Sequence, residues 1–278
     1  ETLNVLAEAG ELELIVVGID NGGPSRIDEY SAWVNPQYGG GMGEAYVDFM
    51  TETLKPHIDT TFRTLTDPVN TGILGSSLGG LISHYGALAR PDIFGRSGVF
   101  SPSFWFVDDS VYTFGHINGN VIDHRMYLLA GELEGGDMPA DARQMIDTMG
   151  AAGFPLENAA LVVDANGDHN EAFWRRKFEE AVKWLFLGTP VSTNIPPVVQ
   201  MKLIRKVYPN PTLDTVVVEF SDSTTYHELR LIDPSGRTLM ARKARAEIRL
   251  DVSDLGPGLY SIEVSYGTHA SLKKLLLH

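Results

Sequence analysis

Between residues 70 and 187 short apolar runs alternate with longer stretches whose apolar residues recur at helical spacing, and this alternation restricts the fold more than any single motif does. Residues 70–74, 96–100, 125–130 and 159–163 read as strands, and 78–88, 141–149 and 171–187 as helices. Upstream, residues 12–19 (LELIVVGI) form a nearly continuous apolar run that leads into Asp20-Asn21-Gly22-Gly23-Pro24, and a buried parallel strand is expected there. Residues 44–58 carry Ala45, Phe49 and Leu54 at helical spacing, with Pro56 marking a break or kink near the end. Strands this apolar must be covered on both faces, so the expected class is α/β with a parallel sheet between helices.

The composition changes abruptly at GTPVSTNIPP (188–197). The expected organisation is an α/β domain over 1–187, a linker over 188–200 and a second unit over 201–278. In that unit, short alternating runs at 215–220, 227–232, 246–252 and 259–266 are separated by Asp233-Pro234-Ser235-Gly236 and Gly256-Pro257-Gly258, the pattern of a small antiparallel β-sandwich. It carries no cluster of catalytic side chains.

With 278 residues and 43% hydrophobic content the chain can fill real cores. Its 36 acidic and 22 basic residues give a formal charge of -14, which repels phosphates and argues against a nucleic-acid partner. The absence of cysteine excludes disulfides, thiolate metal sites and a cysteine nucleophile. No signal peptide and no run long enough to cross a bilayer occurs. The first residue is Glu1 rather than methionine, and the natural N-terminus is expected to lie further upstream.

The stretch GILGSSLGG (72–80) falls between an expected strand and an expected helix. Small flanking residues permit a sharp strand-to-helix turn that lifts a serine hydroxyl above the sheet edge, and the Gly-x-Ser-x-Gly register selects Ser77, because residue 74 rather than a glycine precedes Ser76 by two. The Leu78 N–H, at the start of the helix, is one candidate donor to an oxyanion. Neither a P-loop ending nor a full Gly-x-Gly-x-x-Gly fingerprint is present. A serine needs a base, and His169 sits in Asp164-Ala165-Asn166-Gly167-Asp168-His169-Asn170, a loop after a strand and before the last helix of the sheet region. For the acid, Glu132, Glu134 and Asp137 all follow the 125–130 strand in a loop able to approach His169, and spacing does not choose among them.

These residues resemble the esterase D-like branch of the α/β-hydrolases, through VVGIDNGGPSRIDEY (16–30), NTGILGSSLGG (70–80), FGRSGVFSPSFWF (94–106), LLAGELEGG (128–136) and GDHNEAFW (167–174). The resemblance spans residues 12–187. It implies Ser77 as nucleophile, His169 as base and Glu134 as acid, with no metal and no organic cofactor. Ser101, Phe104 and Trp105 could line a substrate pocket or pack the core, and Arg26 with Glu29 matches a loop that orders the rim or contacts substrate. The implied substrate is a small-molecule or carbohydrate-linked ester: an acetyl or feruloyl polysaccharide ester, with an iron-siderophore ester as the alternative. One departure stands out. The family's sheet has strands upstream of LELIVVGI and a His-Asp-Gly-like turn that supplies another oxyanion donor. The expected sheet therefore lacks its usual N-terminal strands, and a second chain could complete it. A non-catalytic surface binding or scaffold protein derived from a hydrolase is the further alternative.

The tail resembles the C-terminal sorting domain of type IX secretion cargo, through YPNPTLDTV (208–216), LIDPSGRTL (231–239), LDVSDLGPGLYSIEV (250–264) and KKLLL (273–277). This implies a secreted or cell-surface location and engagement of secretion machinery.

Overall fold

The four apolar runs between 72 and 164 pair side by side because each can satisfy its backbone groups only through a neighbour. In the computed structural model, which describes residues 1–107, 109–193, 203–234, 237–266 and 269–278, β1 (Gly72–Ser76), β2 (Arg96–Phe100), β3 (Arg125–Gly131) and β4 (Ala159–Asp164) form a parallel sheet in that order. The helices α1 (Leu78–Ala89), α2 (Asp109–Asn118), α3 (Met138–Ala152) and α4 (Glu171–Leu187) accompany it. Alternation along β3 sends Tyr127 and Leu129 into a cluster with Phe173, Ala181, Trp184 and Leu185 of α4, and Met126 and Leu128, equally buried, to the other face.

The expected strand at 12–19 does not form. Residues 12–20 carry no strand, and Ile15, Val16 and Val17 are 51%, 62% and 42% exposed. An apolar run becomes a strand only when it pairs with a neighbour that takes its N–H and C=O groups. Among the described residues β1 pairs with β2 alone and presents an open edge, and residues 12–20 do not pair with it. A short helix, Thr2–Glu8, precedes the run, and Lys183 of α4 holds Glu11 at 2.8 Å. The helix expected over 44–58 runs from Gly43 to Thr61, passing through a π-helical stretch at Phe49–Leu54. Pro56 offers no N–H to the carbonyl four residues back, and the turns before it widen instead of ending the helix.

The second compact unit holds two antiparallel sheets built from β5 (Ile204–Tyr208), β6 (Thr215–Phe220), β7 (His227–Ile232), β8 (Thr238–Ala244), β9 (Glu247–Asp251), β10 (Gly258–Tyr266) and β11 (His269–Leu277). Their orders are β8-β7-β10-β11 and β9-β6-β5. One core is shared between them, with Val216, Val218, Leu229, Leu231, Ile262 and Val264 buried. Most of the expected 188–200 linker (194–200) and half of the Asp233-Pro234-Ser235-Gly236 turn lie outside the described residues.

Three histidines, His84, His116 and His124, are buried in the α/β unit. His84 of α1 is fully buried, packs edge-on against Phe104 at 5.2 Å and has no hydrogen-bond partner at either ring nitrogen. Burial, with the nearby His124 adding to it, pushes its pKa down to about 3. His124, bonded to Ser97 and the Phe94 carbonyl, is pushed down to about 4, chiefly by burial. Unfolding lets His84 and His124 titrate near about 6.5, so between that value and their folded pKa the unfolded chain binds more protons and stability falls as pH falls, by up to about 1.4 kcal/mol per pH unit for each of the two. Thermal melts from pH 7 to pH 5 should therefore show a falling midpoint, and His84→Phe should flatten that slope; an unchanged slope would refute the assignment.

Candidate active site

The turn from β1 into α1 is possible because two glycines let backbones meet. A Cβ on Gly75 would lie 2.4 Å from the Gly79 carbonyl oxygen, and one on Gly80 2.8 Å from the Phe100 carbonyl oxygen. Between them Ser77 adopts φ 60° and ψ -125°, a conformation costly for a residue with a side chain and sustained only by its surroundings. Its N–H donates to the Phe100 carbonyl at 2.9 Å, and its carbonyl accepts from Gly80, Leu81 and Ser103. The Leu78 N–H opens α1 and donates to no protein acceptor among the described residues.

The His169 Nε2 stands 3.0 Å from the Ser77 Oγ. Its Nδ1 faces the Glu134 Oε1 at 3.4 Å. The other Glu134 oxygen accepts the Gly131 N–H at 3.0 Å, while Oε1 is buried with the imidazole as its neighbour and no hydrogen bond of its own. A buried carboxylate oxygen requires a donor, and this fixes the tautomer: Nδ1 carries the proton and Nε2 presents its lone pair to Ser77. Glu132 and Asp137 are exposed; the Asp137 carbonyl accepts the Asp141 N–H at the start of α3. Of the three candidate carboxylates, the structure therefore brings Glu134 to the histidine.

The loops carrying His169 and Glu134 are fastened together. Glu132 and Leu133 donate their N–H groups to the carbonyls of Asp164 and Gly167 at 3.0 and 2.9 Å, and a Cβ on Gly131 would lie 2.3 Å from the Gly167 carbonyl oxygen. His169 is the last residue before Asn170, which caps α4 by accepting the Phe173 N–H.

Two residues that sequence reasoning missed complete the arrangement. Trp174, one turn into α4, stands edge-on to the His169 ring at 5.1 Å and donates its indole N–H to the Ser101 Oγ at 2.8 Å. Ser103 places its Oγ 3.3 Å from the Ser77 Oγ. The serine-proline-serine sequence after β2 is the signal that could have pointed to a polar turn facing the elbow. Of the candidate pocket residues, Ser101 is buried and occupied by Trp174, and Phe104 is buried against His84 and Tyr112. Both therefore pack inward beneath the site. Trp105 is 53% exposed and meets Tyr38, 48% exposed, at right angles with ring centroids 6.3 Å apart; Tyr38 lies in the turn of a small hairpin in which Val34–Asn35 pairs antiparallel with Gly39–Gly40, and Asn35 donates its side-chain amide to the Phe106 carbonyl at 2.6 Å. The expected loop carrying Arg26 and Glu29 is a 3-10 turn, Gly23–Ser25, running into a short helix, Arg26–Glu29; Arg26 lies over the Tyr30 ring at 5.2 Å and Glu29 accepts the Gly22 N–H at 2.8 Å, so the two brace this helical turn. A separate groove of about 400 Å³ lies beside β4, lined by Val162, Asp164, Lys177 and Glu180. Its charges are already paired, Asp164 with Arg176 and Lys177, and Lys177 with Glu180. Among the described residues no group of three or more metal-ligating side chains occurs.

A family model described as "Putative esterase" matches residues 1–185. The chain belongs to this esterase family. Residues 206–278 match a secretion system C-terminal sorting domain, a domain characteristic of proteins exported by type IX secretion to the cell surface. The uncharacterised protein YbbA of Bacillus subtilis is 27% identical over 187 residues, covering 63% of this chain and 74% of that protein. An endo-1,4-β-xylanase/feruloyl esterase of Xylanibacter ruminicola is 26% identical over 143 residues, covering 51% of this chain and 18% of that protein. Among solved structures, the enterobactin esterase FES of Shigella flexneri aligns with a TM-score of 0.51 at 20% identity, over 67% of this chain and 48% of that one. The chain thus spans less than half of the Shigella esterase, and the likeness is one of fold. Family and fold together support hydrolase activity in general.

The glycine contact between the two loops is testable by itself. Gly131→Ala must push the Gly167 carbonyl aside, and should lower stability to urea by about 1–3 kcal/mol; a change within experimental error would show that the loops separate freely.

Proposed function

We propose that this chain is an exported serine hydrolase of carboxylic esters that works through an acyl-enzyme. The observation that carries the reading is the continuous line Ser77 Oγ, His169 Nε2, His169 Nδ1, Glu134 Oε1, with separations of 3.0 Å and 3.4 Å across its two gaps. Ser77 Oγ attacks the ester carbonyl carbon and its proton passes to His169 Nε2, while the carbonyl oxygen takes up negative charge facing the Leu78 N–H. The tetrahedral species collapses, the alcohol leaves and takes the proton from His169, and Ser77 remains acylated. Water then attacks the acyl carbon, gives its proton to His169, and the departing Ser77 Oγ takes that proton back as the acid is released. Glu134, buried against the Nδ1–H, stabilises the imidazolium that forms twice in the cycle.

For the substrate, the likeness in fold to an enterobactin esterase supports an iron-siderophore ester, our first choice. The relative described as a feruloyl esterase supports an acetyl or feruloyl polysaccharide ester as the second. The exposed Trp105 and Tyr38 suit a substrate with a flat ring, since aromatic faces stack on such rings. A non-catalytic binding role is the competing reading, motivated by the elbow strand lying at an open edge of the sheet. A fluorophosphonate probe should label Ser77, and Ser77→Ala should abolish both labelling and turnover of a panel of aryl acetate, siderophore and feruloyl esters while leaving the melting temperature within a few degrees. Turnover by Ser77→Ala at the wild-type rate would refute the mechanism; absence of labelling in the wild type would favour the binding role.

A second chain that completes the sheet belongs to the same reading, motivated by the unpaired edge of β1 and, separately, by the exposed Ile15, Val16 and Val17. Light scattering across a hundredfold range of concentration should then show a dimer, and a monomer throughout would count against it.

A further inference from the structure

The serine pair at the elbow carries chemistry beyond the three residues just assigned. Ser103 is 3% exposed, and its Oγ lies 3.3 Å from the Ser77 Oγ. Its position does not depend on that contact, because its N–H already donates to the Ser77 carbonyl at 3.1 Å and its carbonyl accepts the Phe106 N–H at 3.1 Å. Ser77 has one hydroxyl proton, and with Nδ1 of His169 protonated toward Glu134 that proton belongs on the line to Nε2. Between the two serines, Ser103 must then be the donor and the Ser77 Oγ the acceptor.

We propose that Ser103 is a further catalytic residue, whose hydroxyl donates to the Ser77 Oγ and stabilises the negative charge that builds there as the proton leaves for His169; this rests on the function proposed above. In the resting site the bond joins two neutral groups. As the Ser77 Oγ loses its proton the acceptor becomes anionic, and hydrogen bonds to charged acceptors are roughly twice as strong. The interaction is therefore stronger in the transition state than in the ground state, which is the condition for accelerating a step. The same donor serves the second half of the cycle, when Ser77 Oγ breaks from the acyl carbon and carries charge until the proton returns. Burial of Ser103 keeps water from substituting for it. Glu134 acts on the imidazole from the far side, so the nucleophilic oxygen is flanked by a proton acceptor on one side and a hydrogen-bond donor on the other.

The test measures the second-order rate of Ser77 labelling by a fluorophosphonate, alongside kcat and KM for an aryl acetate and the melting temperature, in wild type, Ser103→Ala, Ser103→Thr and Ser103→Cys. Removing the donor should slow labelling and kcat by about 10- to 100-fold with KM changed less than threefold. Ser103→Thr keeps the hydroxyl and should recover most of the rate, and Ser103→Cys, a weak donor of similar size, should fall between. A purely structural role predicts instead that rates follow melting temperature and that the Thr variant fares worst. Labelling of Ser103→Ala within threefold of wild type would overturn the inference while leaving the assignment of Ser77 intact. Should Ser103→Ala not fold, labelling of Ser103→Cys at the wild-type rate would overturn it equally. No labelling of Ser77 in the wild type would remove the proposed function and this inference with it.

Discussion

The backbone contact between Gly75 and Gly79, too close for a Cβ at 2.4 Å, holds the rest of the site in place. It lets β1 turn directly into α1 with Ser77 at positive φ, and that conformation sets Ser77 Oγ toward His169 and leaves the Leu78 N–H free at the helix mouth. Strain of this kind persists only when many bonds oppose its release. Here the opposing bonds are visible: the Ser77 N–H is held by Phe100, and its carbonyl by three donors, two from α1 and one from Ser103. A relaxed turn would break several of these at once, so the reactive geometry is kept by the sheet, the helix and the turn after β2 together.

The meeting of His169 and Glu134 depends on a second close approach of the same kind, between Gly131 and Gly167. It brings the ends of β3 and β4 near enough for Glu134 to meet His169 across adjacent loops. Glu134 is buried, and an isolated buried carboxylate is costly. One oxygen is satisfied by the Gly131 N–H, the other turns to the imidazole. Exposed Glu132 and Asp137 have no such need of a partner. Burial, then, distinguishes the carboxylate that meets the histidine from the two that do not.

Burial is also what the sequence could not express. The four paired strands, α1 and α4 were legible because apolar runs and helical spacing coincide with their burial in the sheet unit, and the end of α4 at Leu187 is marked by Gly188 in the left-handed conformation. The Gly-x-Ser-x-Gly register and the loop before α4 made Ser77 and His169 legible for a related reason, since both rely on local turn chemistry. Residues 12–19 misled because apolar content states a preference for burial and does not say that the run will pair with the open edge of β1. α2 escaped notice since only Val111, Gly115 and His116 of its ten residues are buried, too sparse a pattern for periodicity. Strands β5, β8 and β11 were missed in the same way: β8 alternates weakly between half-buried and exposed positions, and takes its place from pairing with β7. Trp174 and Ser103 belong to contacts between segments more than twenty residues apart, which spacing along the chain does not encode.

Those two contacts meet in one short turn. Ser101 and Ser103 flank Pro102, which lies against Gly80 at the start of α1, where a Cβ would come 3.1 Å from the Pro102 Cα. Ser101, itself at positive φ and bonded through its N–H to the Leu129 carbonyl, receives the indole of Trp174, which stands against the His169 ring. Ser103 reaches Ser77. A rigid turn that touches both partners of the proposed proton transfer holds their separation more tightly than two independent supports would, because any displacement of the turn moves both contacts together. A misplacement of about 1 Å can cost roughly a hundredfold in rate, so this turn, rather than the open edge at β1, is where tolerance for change should be least.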